Sequence, residues 1–253
     1  MEPKTYLWFS MALLLNIGAS VQNTFGPLIL SGLGFDSYRT SLLNMPFGAL
    51  QIIVILLASY AAQKARLKSA ILALLMLPVV AGLAVLYVLD RNKPHQAALL
   101  AAYYLLAFLF GGNPLIVSWI VGNTGGTTKK SIIMSLYNAG SSAGNIIGPL
   151  LFSKKDAPRY HPGLKAVLAI FVALVAVVLI QLANLTMLNK LQQKKRVRNG
   201  KMAVIVDSSM MDKYVGLAEE NQQRDGDGQV ARLGDNAFLD LTDRRNDEFT
   251  YIY

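Results

Sequence analysis

The sequence contains no cysteine and only two histidines among its 253 residues. Disulfide bonds and thiolate metal sites are therefore excluded, and the redox compartment cannot be inferred. Charged residues are also scarce, at 15% of the chain, whereas an ordinary soluble protein has about 25%. No spaced group of His, Asp or Glu predicts a metal site, and no catalytic arrangement is visible. We therefore expect neither an enzyme nor a bound cofactor.

The few charges leave six long stretches without Asp, Glu, Lys or Arg. These are residues 5–35, 40–63, 69–89, 94–128, 131–153 and 166–189. Each is long enough to supply the roughly 20 apolar residues that cross a bilayer. A buried helix of a soluble protein could explain one such stretch, but not six in succession. The sequence predicts an all-α membrane protein whose domain 1–189 is a six-helix transmembrane bundle, with helices at about 6–30, 41–62, 69–89, 96–121, 131–152 and 164–188.

The net charge of +9 divides into two unlike parts. Residues 202–253 hold 11 acidic and 5 basic residues, whereas the basic excess lies in loops and directly after the last predicted helix. Basic loops of this kind indicate membrane orientation rather than nucleic-acid binding. With the N-terminus inside, the inner segments hold 12 Lys and Arg residues and the outer loops hold 6. We therefore expect both termini on the cytoplasmic side.

Residues 190–253 are predicted to lie outside the bilayer. A basic juxtamembrane segment comes first, and a polar, acidic stretch follows that cannot bury enough apolar surface to fold alone. We expect a disordered cytoplasmic tail. The final residues, 238–253, are more hydrophobic, and docking of this stretch onto the domain is the alternative.

Four of the six predicted helices carry polar or small side chains along one side. In the fifth, Gly140, Gly144 and Gly148 recur every four residues and form a ridge. The polar candidates are Asn138, Ser141 and Asn145 beside that ridge, Asn16, Ser20 and Asn23 in the first helix, Asn44 and Gln51 in the second, and Tyr104 in the fourth. The ridge predicts close helix packing, and the polar sides predict a water-filled path. The alternative is that these side chains only hydrogen-bond between helices.

Several short segments match a known family in order and spacing. They are EPKTYL at 2–7, FGPLIL at 25–30 followed by GF at 34–35, LLNMPFG at 42–48, NP at 113–114, TTKK at 127–130, GNIIGP at 144–149, DAPRY at 156–160 and DLTDR at 240–244. Together they resemble the major facilitator superfamily, and within it the allantoate permease-like branch of fungal anion:cation symporters. The likeness covers most of the chain.

The resemblance implies that the chain corresponds to the second half of a twelve-helix transporter, whose halves rock about a central site. It implies uptake of a small organic anion or vitamin-like solute, usually with protons, by alternating access across the plasma membrane. Transferred by position, the nine polar candidates would line the solute path. The third and sixth predicted helices, which lack polar stripes, would lie at the periphery.

The likeness leaves the first six helices of such a transporter unmatched. Two expectations follow: a truncated form that lacks its N-terminal half, or two six-helix copies that pair as a dimer. The alternative function is that of a non-transporting membrane protein, an assembly partner or sensor derived from such a transporter.

Overall fold

The computed structural model describes residues 2–32, 36–90, 93–152, 154–156, 160–205, 236 and 239–253. Every regular element in these ranges is helical. The α-helices are α1 (Pro3–Gly32), α2 (Ser37–Ala65), α3 (Lys68–Val88), α4 (Gln96–Leu105), α5 (Gly112–Gly122), α6 (Thr127–Leu150) and α7 (His161–Arg198). Short 3-10 turns occupy Lys93–His95, Leu106–Gly111 and Lys154–Asp156.

Helix α2 and helix α7 are longer than predicted, because capping residues rather than hydropathy determine where they end. At the start of α2, the Asp36 side chain accepts a 3.0 Å hydrogen bond from the Arg39 backbone N–H. At its end, Arg66 adopts a left-handed φ of 55° and returns its N–H to the Gln63 carbonyl. Helix α7 continues to Arg198 and is followed by Gly200 at φ 73°. Hydropathy does not predict a polar or basic final turn that extends beyond the apolar run.

The fourth predicted helix, 96–121, is divided in two by the 3-10 turn Leu106–Gly111. The break begins eight residues before Pro114, which lacks an N–H and cannot bond to the preceding turn. Gly111 and Gly112 let neighbouring helices approach the break closely. A Cβ on Gly112 would lie 2.9 Å from a Leu15 side-chain carbon, and one on Gly111 would lie 3.0 Å from Leu75.

Four helical stretches among the described residues are long and apolar enough to cross a membrane: Tyr38–Ala65, Lys68–Val88, Gln96–Gly122 and His161–Arg198. They agree with a membrane helical bundle. Helices α1 and α6, with 30 and 24 residues, coincide with the first and fifth predicted spans but do not join this set. The many polar and small residues of α6 lower its hydropathy.

Helix α1 lies at the centre of the assembly and contacts α2, α5, α6 and α7. Trp8 of α1 packs edge-to-face on Trp119 of α5, with ring centroids 4.8 Å apart. The outward side of α2 instead exposes large apolar side chains such as Ile52, Leu56 and Leu57. In an aqueous protein such a surface would be unfavourable, whereas lipid accommodates it.

The end of the chain departs from the predicted disordered tail. Residues 239–253 lie against the helix ends, and Asp243 and Tyr251 are buried there. For these residues the docking alternative describes the structure, because buried partners on several helices replace water. Residues 206–235 and 237–238, which also belong to the predicted tail, lie outside the described residues.

Candidate functional site

The glycine ridge of α6 lies directly against the backbone of α1. A Cβ on Gly144 would lie 2.6 Å from the Leu13 carbonyl oxygen, and one on Gly148 would lie 2.7 Å from that of Ile17. One on Gly140 would lie 2.9 Å from the Phe9 carbonyl oxygen. Real side-chain carbons do not approach so closely, so only glycine permits this distance between the two helices. Small residues allow the same approach in membrane helix pairs generally.

A hydrogen-bond network joins α1, α5 and α6 beside this contact. The Asn16 Nδ2 donates to the Ala12 carbonyl at 2.8 Å and to Asn113 Oδ1 at 3.2 Å. The Tyr137 hydroxyl donates to the same Asn113 Oδ1 at 2.8 Å. Asn16 and Tyr137 are buried. Asn113 therefore connects three helices at the start of α5, directly before Pro114.

A second hydrogen bond ties α1 to α6 through a candidate residue. The Ser20 hydroxyl, which is buried, donates to the Asn145 backbone carbonyl at 2.9 Å. The Asn145 side chain itself is exposed. Asn145 thus presents its backbone carbonyl to α1 and its amide side chain away from α1.

A separate polar cluster joins α2 and α4. The Tyr103 hydroxyl donates to Asn44 Oδ1 at 2.8 Å, and the Tyr104 hydroxyl donates to the Leu43 carbonyl at 2.9 Å. Gln22 of α1 is buried next to this cluster. A Cβ on Gly26 would lie 3.1 Å from both Gln22 Nε2 and the Tyr103 hydroxyl oxygen. The cluster therefore extends from α2 through α4 to α1.

The nine polar candidates differ in how far they are buried. Asn16 and Ser20 are buried between helices, and Tyr104 is half-buried against α2. Asn44, Asn23, Asn138 and Asn145 are exposed, whereas Gln51 and Ser141 are half-buried. The structure brings Asn16 and Ser20 to the α1–α6 contact and brings Asn44 and Tyr104 to the α2–α4 contact. It leaves the amides of α6 on the surface of the described domain.

The sequence analysis missed three residues that belong to these networks, namely Tyr103, Asn113 and Tyr137. Tyr137 precedes Gly140 by three residues and Gly144 by seven, so it lies on the packing side of α6. That position suggested packing rather than hydrogen bonding. Asn113 follows two glycines at the helix break, and its partners became evident only when α1 and α6 were brought together.

All of these groups are neutral amides and hydroxyls. They can donate to and accept from a solute, and they need no charged partner in a region of low polarity. No group of three or more His, Cys, Asp or Glu suited to a metal ion occurs in the part of the chain that the structure describes. The networks therefore suit solute recognition and helix contact rather than chemical conversion.

Comparison with known proteins identifies the class of protein to which this chain belongs. The chain is 36% identical over 171 residues to the MFS-type transporter cnsL of Penicillium expansum. The matched region covers 67% of this chain and 35% of that protein. The chain is homologous to MFS-type transporters. It is also 29% identical over 246 residues to the thiamine pathway transporter THI73 of Saccharomyces cerevisiae (94% of this chain and 39% of the relative). With allantoate permease of the same yeast it shares 28% identity over 265 residues (99% and 42%).

The similarity covers only part of the length of each relative. The chain spans between 35% and 42% of the length of these three relatives. No family model and no solved structure matches the chain. The relatives are transporters, in agreement with the prediction that the chain is not an enzyme. Together with the four apolar helices they identify an integral membrane protein of the major facilitator type.

Proposed function

We propose that the chain forms the C-terminal six-helix domain of a secondary transporter that moves a small organic anion or vitamin-like solute by alternating access. Within the major facilitator class, the allantoate permease-like branch is the one that we propose. The relatives of the chain include an allantoate permease and a high-affinity nicotinic acid transporter. Both names indicate small organic acids as solutes, and carboxylates of this kind are the solute class that we propose here.

Six spans are part of this proposal. The four apolar helical stretches supply four of them, and α1 and α6 would supply the other two. At 1.5 Å per residue, the 30 and 24 residues of α1 and α6 extend over about 45 and 36 Å. Both exceed the roughly 30 Å of a bilayer core. The polar and small residues of α6 are compatible with a position facing protein and water instead of lipid.

The observation that carries the proposal is the distribution of neutral polar side chains. They occur on α1, α2, α4, α5 and α6, where they form the Asn16–Asn113–Tyr137 and Asn44–Tyr103 contacts. The exposed amides of Asn138 and Asn145 extend the polar surface along α6. Such a surface is costly in lipid, so we propose that it borders an aqueous path.

The distribution of basic residues supports an orientation in the membrane. We propose that both termini are cytoplasmic, since the inner loops would then hold the larger share of Lys and Arg. We propose the plasma membrane as the location and the proton as the coupling ion. Apart from Lys165 at the start of the last one, the predicted spans hold no Asp, Glu, Lys, Arg or His, so we propose that the proton-carrying group belongs to an N-terminal half.

Uptake of labelled allantoate and nicotinate, measured in cells that express the natural gene product containing this chain, tests the proposal. We expect uptake that increases with an inward proton gradient. Asn145→Ala removes an exposed amide of α6 and is expected to change the apparent KM or the maximal rate severalfold. Asn184→Ala is the matched control, because Asn184 lies on α7 and its Nδ2 bonds Gln181 of the same helix. We expect it to leave uptake unchanged.

The non-transporting assembly partner predicts a different outcome. Absence of uptake across a wide panel of organic anions, combined with co-purification of the chain with a separate transporter, would support that function and overturn ours. Equal effects of Asn145→Ala and Asn184→Ala on uptake would contradict the assignment of the α6 amides to the solute path.

A further inference from the structure

The C-terminal segment, residues 239–253, bonds to five helices at one end of the bundle. Lys68 of α3 donates its backbone N–H to the Tyr253 carbonyl at 2.6 Å. Trp119 Nε1 of α5 donates to the Ile252 carbonyl at 2.9 Å. The segment reaches α1, α6 and α7 through the charged and amide side chains described next. A stretch of 15 residues thereby links helix residues as distant in the sequence as Lys4 of α1 and Arg196 of α7.

Asp243 is the centre of the charged contacts. Its Oδ2 accepts from Lys4 Nζ of α1, and its Oδ1 accepts from Lys129 Nζ of α6 at 2.7 Å. The Tyr251 hydroxyl also donates to Oδ2, at 2.8 Å. The side chains of Lys4 and Asp243 are fully buried, and Glu2 lies 2.7 Å from Lys129. Burial opposes ionisation of Asp243, but the two lysines and Tyr251 outweigh it and hold the pKa of this carboxyl below its usual range.

Two asparagines satisfy the backbone of the segment where it is extended. Asn189 of α7 accepts from the Tyr251 N–H and donates to the Tyr251 carbonyl, both at 2.8 Å. Asn123, at the end of α5, accepts from the Ile252 N–H at 2.8 Å and donates to the Ile252 carbonyl at 3.0 Å. Each amide thus replaces the partner strand that this backbone would otherwise need. Such paired bonds require the segment to occupy one position.

The turn between α5 and α6 is shaped to receive this segment. A Cβ on Gly125 would lie 2.7 Å from the Asp243 backbone nitrogen. Gly126 has a φ of 86°, which side-chain-bearing residues rarely adopt. Thr127, the first residue of α6, donates its backbone N–H to Asp240 Oδ1 at 2.7 Å. The backbones of the turn and of the segment are therefore in direct contact.

We propose that residues 239–253 act as a clamp that holds the ends of α1, α5, α6 and α7 in one fixed arrangement, and that Asp243 is the residue on which the clamp depends. Asp243 neutralises two lysines that belong to different helices. Without it, the buried Lys4 loses its closest counter-charge and both lysines rely on Glu2. Loss of the clamp is expected to loosen the α5–α6 turn and the start of α1, while α3 stays intact.

Hydrogen–deuterium exchange of the full chain in lipid nanodiscs tests this inference without any solute. In the unaltered chain we expect slow exchange of the amides of residues 240–253 and 123–127. Asp243→Asn is expected to speed exchange in both regions at least tenfold, with exchange in residues 72–88 of α3 unchanged. Asp240→Asn is the matched control, since it makes the same chemical change at an exposed carboxylate that accepts from Thr127 and forms no buried ion pair, and we expect less than a threefold effect.

A second variant covers the case in which Asp243→Asn also unfolds α3. Asn189→Ala removes the two bonds to Tyr251 and leaves no buried charge without its partner. We expect at least tenfold faster exchange at residues 250–253, with α3 protected. The inference is overturned if residues 240–253 of the unaltered chain exchange as fast as a free peptide. It is also overturned if Asn189→Ala leaves their exchange unchanged.

Discussion

The α1–α6 contact and the clamped end of the bundle join helices through different kinds of interaction. The α1–α6 contact uses glycine and neutral amides, and its closest approaches are between backbones. The clamped end uses long side chains, buried ions and an added segment of chain. The first suits a lipid-surrounded region, in which an unpaired charge is very costly. The second suits the helix ends, where Lys129 and Glu2 remain partly exposed to water.

The comparison also separates what each region can do. Glycine against backbone leaves no side chain to rearrange, so the α1–α6 pair is expected to move as one body. The amides on the other side of α6 remain free of that contact and can serve a solute. At the clamped end the contacts depend on individual side chains, with Asp243 bonded by Lys129 and with Asn189 and Asn123 bonded to the backbone of the segment. Single substitutions can therefore loosen this end without change to the helix interior.

The largest expected effect is at the clamped end. Asp243→Asn breaks a buried ion pair and is expected to lower the free energy of unfolding by about 3–5 kcal/mol. The native pKa of Asp243 lies below its ordinary value, so its contribution is complete above that ordinary value and is lost as the pH falls through the native one. Thermal unfolding of both forms in detergent from pH 7 to pH 3 measures this. We expect a constant difference down to about pH 5 and a shrinking one below about pH 4. A difference that grows on acidification would contradict the assignment.

The next effect is at the glycine ridge. In Gly144→Ala, the new Cβ would meet the backbone of α1, which cannot rotate away, and overpacking of this kind costs about 1–3 kcal/mol. Gly48 of α2 is the matched control, because a Cβ there meets no atom within 4 Å. Gly48→Ala is expected to stabilise the helix by about 0.5–1 kcal/mol. Thermal unfolding in detergent should therefore shift in opposite directions for the two variants, and shifts of the same sign would show that the ridge does not determine the packing.

A smaller effect is expected in the neutral network. Tyr137→Phe removes the hydroxyl that donates to Asn113, and a hydrogen bond between membrane helices contributes about 0.6 kcal/mol. Tyr60→Phe, at an exposed position of α2, is the control and should leave unfolding unchanged. An effect of Tyr137→Phe as large as that of Asp243→Asn would mean that the neutral and the charged regions do not differ in the way described.

The sequence was sufficient to predict helices where they occur in the structure, because apolar runs of bilayer length have no other stable form in lipid. It also predicted that Gly140, Gly144 and Gly148 share one side, since a four-residue spacing on a helix requires it. Helix α6 is less apolar than the other predicted spans because of its polar and small residues. The additional ten residues of α7 and the 3-10 turn before Pro114 depend on caps and neighbours and not on local composition.

The hydrogen-bond partners were less predictable than the helices. Lys4 and Asp243 are 239 residues apart in the sequence, and no local pattern connects them. The acidic composition of the chain end suggested a solvated tail, whereas four carboxylates of that segment meet lysines and amides on the helix ends. Likewise, Tyr137 became a partner of Asn113 only through the approach of α6 to α1. Composition predicts only the average tendency of a segment to be solvated or buried. These contacts depend on which residues the fold brings together.

The central claim is that the polar side of α6 borders water and not lipid, and the absence of cysteine from the chain allows a direct test. Asn138→Cys, Asn145→Cys and Leu179→Cys place single thiols on the α6 polar side and on an exposed apolar position of α7. A water-soluble maleimide reacts with the thiolate, which forms only where water has access. We predict at least tenfold faster labelling at 138 and 145 than at 179, slowed by the transported solute. Equal rates at all three positions would contradict the account.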